Sequence, residues 1–168
     1  MVLAAPIPSP QVLYAHAIAI EREAAERYAE LAERMADLGN DGAADVFRRL
    51  AGFEAEHLET LRARTRGVPL PAVAPGGYAW LDAGAPETVA RELVYRLLTP
   101  RGALEIALAA ERRAEAFFAD VQAAADDPAL RALAAEMRAE ERDHIAMVER
   151  ALAQSPADRV DWAALLGE

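Results

Sequence analysis

Two pairs of a glutamate and a histidine, identically spaced, are the residues of this sequence best suited to carry chemistry. Glu54 precedes His57 by three residues, and Glu141 precedes His144 by the same spacing, 87 positions further along the chain. Residues three apart on an α-helix share a face, so each pair would direct a carboxylate and an imidazole to the same side. Sites rich in carboxylates and containing imidazoles suit iron or manganese. The spacing therefore suggests that each pair is part of a metal site.

The composition predicts that these residues lie on α-helices. The chain has 168 residues, of which 54% are hydrophobic and 27% are charged. Alanine, leucine, glutamate and arginine dominate, and these residues favour helix. The length allows one domain with a substantial core and is short for two. We therefore expect an all-α protein in which residues 1–168 form a single domain.

The charge and the lack of cysteine argue against several classes of function. The net charge is −10, with 28 acidic against 18 basic residues, which argues against binding to nucleic acid and leaves acids available for cations. The sequence contains no cysteine, which excludes disulfides, thiolate zinc sites and iron–sulfur centres within it. No apolar run is long enough to span a membrane, and the first residues lack the basic region of a signal peptide. A cytoplasmic location is expected.

Capping residues and apolar periodicity predict four long helices. They run over residues 10–38, 41–64, 100–125 and 128–152. Ser9 before Pro10 is a good helix start, and Asp41 is expected to cap the second helix. The short turns after the first and third helices predict two antiparallel hairpins.

A proline-rich connection of about residues 65–99 separates the two hairpins. It is expected to cross along the outside of the bundle and to contain a short helix at residues 87–98. Tyr78 and Trp80 within it are expected to cover the bundle or a dimer surface. A boundary between two domains is the alternative, but neither half could bury its apolar faces well alone. Residues 158–166 are expected to form a short amphipathic turn.

One glutamate interrupts the apolar stripe of every long helix, at Glu21, Glu54, Glu111 and Glu141. The interval is 90 residues from Glu21 to Glu111 and 87 from Glu54 to Glu141, which suggests a duplicated hairpin. An ionised carboxylate in an apolar core is strongly penalised unless it is paired or bound to a metal. Four carboxylates would repel one another unless cations intervened, so divalent metals are expected between them.

These segments resemble the rubrerythrin family of the ferritin-like superfamily. The resemblance lies in residues 19–28 (AIEREAAERY), 54–57 (EAEH), 109–118 (AAERRAEAFF) and 141–144 (ERDH). Together they span the predicted bundle from about residue 10 to residue 153. The resemblance implies a ferritin-like four-helix bundle that holds a di-iron site.

The resemblance also implies a ligand set and an activity. Six residues match the family's metal ligands: Glu21, Glu54, His57, Glu111, Glu141 and His144. Glu54 and Glu141 would bridge two iron ions and each histidine would bind one of them, with manganese or zinc as other candidates for the metal. The implied activity is that of an oxidoreductase, a peroxidase or ferroxidase of oxidative stress, which couples ferrous iron oxidation to reduction of hydrogen peroxide or dioxygen. The resemblance further suggests a homodimer.

Two departures from the family pattern bear on this activity. Rubrerythrins carry a further carboxylate one turn after the third-helix ligand, where this chain has Ala114, and the adjacent Glu115 is a candidate for an extra ligand. They also usually carry a cysteine-rich rubredoxin domain, so this chain would need an external electron donor. Two alternatives stay open: a non-enzymatic protein that binds or buffers iron, and a structural bundle with a zinc-filled site.

Other polar and aromatic residues near these positions are expected to have structural roles. Three acidic neighbours fall off the repeated line and are expected on solvated faces, with contact to the histidines as the alternative: Glu56, Glu140 and Asp143. His16 lies off the line of Glu21 and is not expected to bind metal. Tyr28 and Phe118 are expected to pack in the core and not to relay electrons.

Overall fold

The computed structural model describes residues 7–73 and 99–155, and within these ranges it contains four α-helices and no strand. The helices are α1 (Pro10–Asp37), α2 (Asp41–Arg64), α3 (Pro100–Ala124) and α4 (Pro128–Gln154). The all-α prediction is confirmed, and each observed boundary lies within two residues of the expected one.

Three of the helices begin with a capping side chain followed by proline. Ser9, Thr99 and Asp127 are the N-cap residues of α1, α3 and α4, and each side chain accepts a hydrogen bond from a backbone N–H of the first turn. Proline is tolerated directly after the cap because the first-turn N–H groups have no partner within the helix. The local sequence therefore sets where these helices start.

The turn between α1 and α2 closes the first hairpin with few residues. The N–H of Gly39 bonds to the carbonyl of Ala36, the N–H of Asn40 bonds to that of Met35, and Gly39 has a φ of 71°. These two bonds and the left-handed glycine are those of a Schellman motif, which ends a helix sharply. Asn40 then caps α2, because its Oδ1 accepts a hydrogen bond from the N–H of Ala43 at 2.8 Å. The expectation that Asp41 is the cap was wrong by one residue, since Asp41 already lies in the first turn of α2.

Each hairpin is closely packed, α1 against α2 and α3 against α4, and the hairpins meet through α1–α4, α2–α4 and α1–α3 contacts. The buried apolar side chains form two clusters. The first contains Leu13, Ile20, Leu61, Phe117, Phe118, Val121, Leu133 and Met137, among others. The second contains Tyr28, Leu31, Met35, Phe47, Leu50, Leu104 and Val148, among others.

The predicted core glutamates lie between these two clusters along the helices. On α1, Glu21 falls between Ile20 of the first cluster and Tyr28 of the second. On α4, Glu141 likewise falls between Met137 and Val148. The bundle interior is thus a polar layer with an apolar region on either side.

Several expectations concern residues outside the described ranges. They are the short helix at residues 87–98, the placement of Tyr78 and Trp80, and the turn at residues 158–166. No helix in the described ranges is long and apolar enough to cross a membrane.

The capping arrangement predicts unequal effects of two neighbouring substitutions. Asn40→Ala should lower the free energy of unfolding by about 1 kcal/mol because the N–H of Ala43 loses its acceptor. Asp41→Ala should cost less, about 0.5 kcal/mol, since it removes only a favourable charge near the helix N-terminus. Urea unfolding of the metal-free protein measures both values. A larger loss for Asp41→Ala would assign the cap to Asp41 instead.

Candidate metal centre

Four glutamates, one from each helix, are buried in the polar layer. Glu21 is 1% exposed, Glu54 2%, and Glu111 and Glu141 3% each. Burial of a carboxylate among apolar side chains is strongly unfavourable unless the charge is neutralised, paired or bound to a cation. Groups that neutralise, pair with or bind these four carboxylates are therefore expected within the polar layer.

Three donors form what we call the inner cluster: Glu54 of α2, Glu111 of α3 and His144 of α4. The Nδ1 of His144 lies 3.0 Å from Glu54 Oε1 and 3.6 Å from Glu111 Oε2. Glu141, one turn before His144, has an oxygen 4.0 Å from the same nitrogen. All of these residues are buried.

Three further donors form the outer cluster: Glu21 of α1, His57 of α2 and Glu140 of α4. The Nδ1 of His57 lies 3.7 Å from Glu21 Oε2 and 3.9 Å from Glu140 Oε2. The side chains of His57 and Glu140 are 23% and 32% exposed, whereas that of Glu21 is 1% exposed. The outer cluster is therefore buried on one side and accessible to solvent on the other.

The two clusters adjoin each other through their histidines. The rings of His57 and His144 are nearly parallel, with centroids 5.4 Å apart. Phe53 also stacks on the His144 ring, and the two ring centroids are 6.0 Å apart. Both clusters thus belong to one site that draws on all four helices.

The donor geometry fits cations. Within each cluster the donor atoms all lie within 4.8 Å of one another. Two atoms that each bind one metal ion at about 2.1 Å are separated by roughly 3.0–4.2 Å, and the histidine–carboxylate separations fall in this range. Glu21 Oε2, His57 Nδ1 and His144 Nδ1 are buried atoms that make no hydrogen bond. Buried polar atoms usually have partners, so these three atoms are oriented as ligands would be.

Burial raises the pKa of Glu54 and Glu141 well above the ordinary value of a glutamate. For Glu54, desolvation is the largest cause and the neighbouring Glu21 is the next. For Glu141, desolvation is followed by the charge of Glu111. In the metal-free protein these two carboxyls therefore tend to hold protons, which a cation would displace.

Glu111 differs from its neighbours because it is held in the ionised form. Burial opposes ionisation, but the neighbouring His144 imidazole, Glu141 carboxyl and Tyr28 hydroxyl lower the pKa of Glu111 overall. The Tyr28 hydroxyl donates a hydrogen bond to Glu111 Oε1. Burial, followed by the charge of Glu111, raises the pKa of Tyr28, so this hydroxyl keeps its proton.

The imidazoles and Glu140 are also shifted. The Glu21 carboxylate raises the pKa of His57. For His144 burial acts to lower the pKa, but the neighbouring Glu111 carboxylate outweighs it and raises the value. Burial raises the pKa of Glu140 despite the opposing effect of His57. Neighbouring carboxylates therefore account for the raised pKa values of the two histidines, and burial accounts for that of Glu140.

The structure brings together the six residues that the sequence singled out and adds one. Glu140 was expected on a solvated face, and the observed arrangement is the alternative, contact with a histidine. Glu56 and Asp143 are exposed, as expected. The available signal was its spacing, because Glu140 is three residues after Met137 and four before His144, which are both buried. Its contact with His57, however, depends on how α4 lies against α2.

Glu115, the candidate for an extra ligand, lies in a different arrangement. Its Oε1 accepts hydrogen bonds from Nε of Arg138 at 2.6 Å and Nε of Arg142 at 3.2 Å. The hydrogen bond from Arg138 is the main reason why the pKa of the Glu115 carboxyl is lowered. Glu115 thus links α3 to α4 beside the site, and it is not a member of either cluster.

Tyr28 and His16 were both expected to lie outside the set of metal ligands. Tyr28 packs in the core against Phe47, with ring centroids 6.0 Å apart, but its hydroxyl also contacts the site, which the sequence analysis missed. The position one heptad after Glu21 was the only available signal. His16 stacks on Phe117, and its Nδ1 lies 3.0 Å from the carbonyl oxygen of Val12, away from both clusters.

A cavity of about 40 Å³ adjoins the inner cluster between α1 and α3. It is lined by Ile20, Glu23, Ala24, Arg27, Tyr28, Glu54, Ala110, Glu111, Ala114 and Glu141. The space exceeds the volume of about 10–15 Å³ that one water molecule needs. The small side chain of Ala114 contributes to it, at the position where the family pattern has a carboxylate.

Comparison with known proteins gives two matches. The Rubrerythrin family model matches residues 13–70. The crystal structure of an uncharacterized conserved protein from Magnetospirillum magnetotacticum MS-1 is similar to this chain at 32% identity and a TM-score of 0.79, covering 90% of this chain and 99% of that chain. Among curated proteins, none matches the sequence.

The pKa shifts predict how the stability of the metal-free protein depends on pH. The raised pKa values of Glu54 and Glu141 mean that the folded state binds more protons than the unfolded state once pH exceeds the ordinary glutamate range. Their contribution is complete below that range and is lost as pH rises through the raised values. The raised pKa values of His57 and His144 act in the same direction, and the lowered value of Glu111 opposes them.

We therefore expect the metal-free protein to lose stability as the pH rises above the ordinary glutamate range. The double variant Glu54→Gln, Glu141→Gln should lose less, because neither amide titrates. Urea midpoints measured in the presence of a chelator at several pH values test this. Equal pH slopes for the wild type and the double variant would contradict the assignment.

Proposed function

We propose, because this chain belongs to the rubrerythrin family, that it is a di-iron carboxylate protein which couples ferrous iron oxidation to reduction of hydrogen peroxide or dioxygen. The ferritin-like four-helix bundle expected from the sequence is confirmed by the observed helices and by the similar crystal structure. The observation that carries the proposal is the pair of adjoining histidine–carboxylate clusters in the bundle interior.

The donor set supports two cations and not one. Each cluster contains a histidine of its own, and Glu54 and Glu141 lie on the two helices that also carry these histidines. Four buried carboxylates would be largely neutralised by two divalent ions. Mixed carboxylate and imidazole donors without any thiolate suit iron or manganese. When two iron ions are bound, they supply two electrons together, so an O–O bond can be reduced without release of a one-electron radical.

The hydrogen bond from Tyr28 to Glu111 bears on how the Glu111 carboxylate would face a cation. The Tyr28 hydroxyl occupies Glu111 Oε1, which leaves Oε2, 3.6 Å from His144 Nδ1, to face the cation position. Because the pKa of Tyr28 is raised, the hydroxyl stays protonated and continues to donate. We infer that Tyr28 orients the Glu111 carboxylate.

The surroundings of the inner cluster favour a small oxidant. Glu54, Glu111 and His144 of the inner cluster are all buried, so bulk water has little access to them. The cavity of about 40 Å³ beside Tyr28, Glu54, Glu111 and Glu141 has room for a molecule of the size of water or hydrogen peroxide, but not for an organic substrate. This size limit supports peroxide or dioxygen as the oxidant.

The third helix bears on which form of this function, or which alternative to it, the site supports. The position of the further family carboxylate is Ala114, and the adjacent Glu115 is engaged by Arg138 and Arg142. A site with fewer carboxylates on this side supports a ferroxidase or an iron-binding and buffering protein over a rubrerythrin-type peroxidase. A structural bundle with zinc in the site is the remaining alternative. An external electron donor, a second copy of this chain as partner and a cytoplasmic location stay predictions.

Metal stoichiometry tests the site. Anaerobic titration of the metal-free protein with Fe²⁺ should give two ions per chain. His57→Ala combined with His144→Ala should weaken binding at least about 100-fold, because each cluster loses its only imidazole. His16→Ala is the matched control and should leave binding unchanged, since His16 contacts Val12 and Phe117 instead. Binding of one ion or none by the wild type would refute the two-metal proposal.

Reaction stoichiometry tests the chemistry. The ferrous-loaded protein should consume about one hydrogen peroxide for every two ferrous ions, with formation of water and no hydroxyl radical. Stopped-flow absorbance and a radical trap measure both quantities. Faster oxidation by dioxygen than by peroxide would favour the ferroxidase. Sustained peroxide consumption with a rubredoxin and its reductase would favour the peroxidase, and oxidation no faster than that of free Fe²⁺ would favour iron binding alone.

A further inference from the structure

We propose that Glu140 is a seventh metal ligand, which completes the cation position of Glu21 and His57 and makes it different from the inner position. This inference rests on the proposed two-metal function and deepens it, because the six residues that match the family's ligands do not include Glu140.

The first support is the geometry of the outer cluster. Glu21 Oε2 and Glu140 Oε2 lie 3.7 and 3.9 Å from His57 Nδ1. These separations are too long for hydrogen bonds, but they match those of donor atoms that share one ion. The three residues come from three different helices, so the cluster is not a chance neighbourhood along one helix face.

The second support is the set of atoms left without partners. Glu21 is 1% exposed, and its Oε2 makes no hydrogen bond, nor does His57 Nδ1. Both atoms lie within 4.8 Å of each other and of a carboxylate oxygen of Glu140. A cation there would satisfy all three groups together, whereas Glu140 as a solvated residue would leave the other two unexplained.

The third support is that two other acidic residues near the site, unlike Glu140, are paired with arginines. Glu115 is held by Arg138 and Arg142. Glu136, one turn before Glu140 on α4, pairs with Arg64 at 2.6 Å. Within residues 7–73 and 99–155, the ion pair of Glu140 is with His57 alone, so no arginine or lysine there is paired with its carboxylate.

The consequence is an asymmetric site. The carboxylates and imidazole of the inner cluster have side chains that are 2–5% exposed. In the outer cluster the side chains of His57 and Glu140 are 23% and 32% exposed. A ligand that is partly in water can leave and return at low cost, so we infer that the outer ion exchanges first and that Glu140 sets its affinity.

Titration with Co²⁺ alone tests this inference, because its visible absorption reports the number and type of ligands. The wild type should bind two Co²⁺ per chain with unequal affinities. Glu140→Gln should weaken the weaker site at least about tenfold, alter its absorption bands and leave the tighter site unchanged. Glu140→Asp, which keeps the charge on a shorter side chain, should recover part of the affinity.

The matched control is Glu136→Gln, which makes the same chemical change one turn away on the same helix. It should retain both affinities and both sets of bands. Unchanged binding and spectra in Glu140→Gln would overturn the role of Glu140 and leave the two-metal function standing. Loss of both ions equally in Glu140→Gln would overturn the asymmetry. Absence of Co²⁺ and Fe²⁺ binding by the wild type would overturn the proposed function and this inference together.

Discussion

Burial of four carboxylates in one layer is the constraint on which the rest of this structure depends. An ion in the protein interior without a partner costs several kcal/mol, and Glu21, Glu54, Glu111 and Glu141 are all at most 3% exposed. Without cations, part of this cost is avoided because the raised pKa values of Glu54 and Glu141 favour their neutral forms. Three donor atoms still lack hydrogen bonds. A layer of this kind is unfavourable for stability, so a binding function explains it better than a structural one.

The helical hairpins supply the rigidity that such a layer needs. Two apolar clusters, one on each side, fix the four helices relative to one another. The link from Glu115 to Arg138 and Arg142 ties α3 to α4 directly beside Glu111 and Glu141. The donors are therefore held within reach of one another by contacts that do not involve a cation. The apparent duplication of the hairpin does not make the two halves of the site equivalent, because Tyr28 donates a hydrogen bond to Glu111 of the inner cluster and Glu140 pairs with His57 of the outer one.

The sequence by itself determined the four helices, their pairing and the residues that face the core. Capping residues and proline mark helix starts locally, as at Ser9, Thr99 and Asp127, and apolar spacing identifies one face of each helix. The cap of α2 was misplaced by one residue, because Asn40 and Asp41 are both good capping residues and only the backbone of the turn distinguishes them. The repeated spacing of Glu54 with His57 and of Glu141 with His144 was sufficient to select the residues that converge.

Only the tertiary structure decided which residues meet across helices. Glu140 and Asp143 are both acidic neighbours of the Glu141–His144 pair, yet α1 and α2 lie beside the first and solvent beside the second. The hydrogen bond from Tyr28 to Glu111 joins residues 83 positions apart. Periodicity reports the face on which a residue lies, because it follows from the geometry of a single helix. Contacts between helices depend on their relative rotation and translation, which result from packing of the whole core.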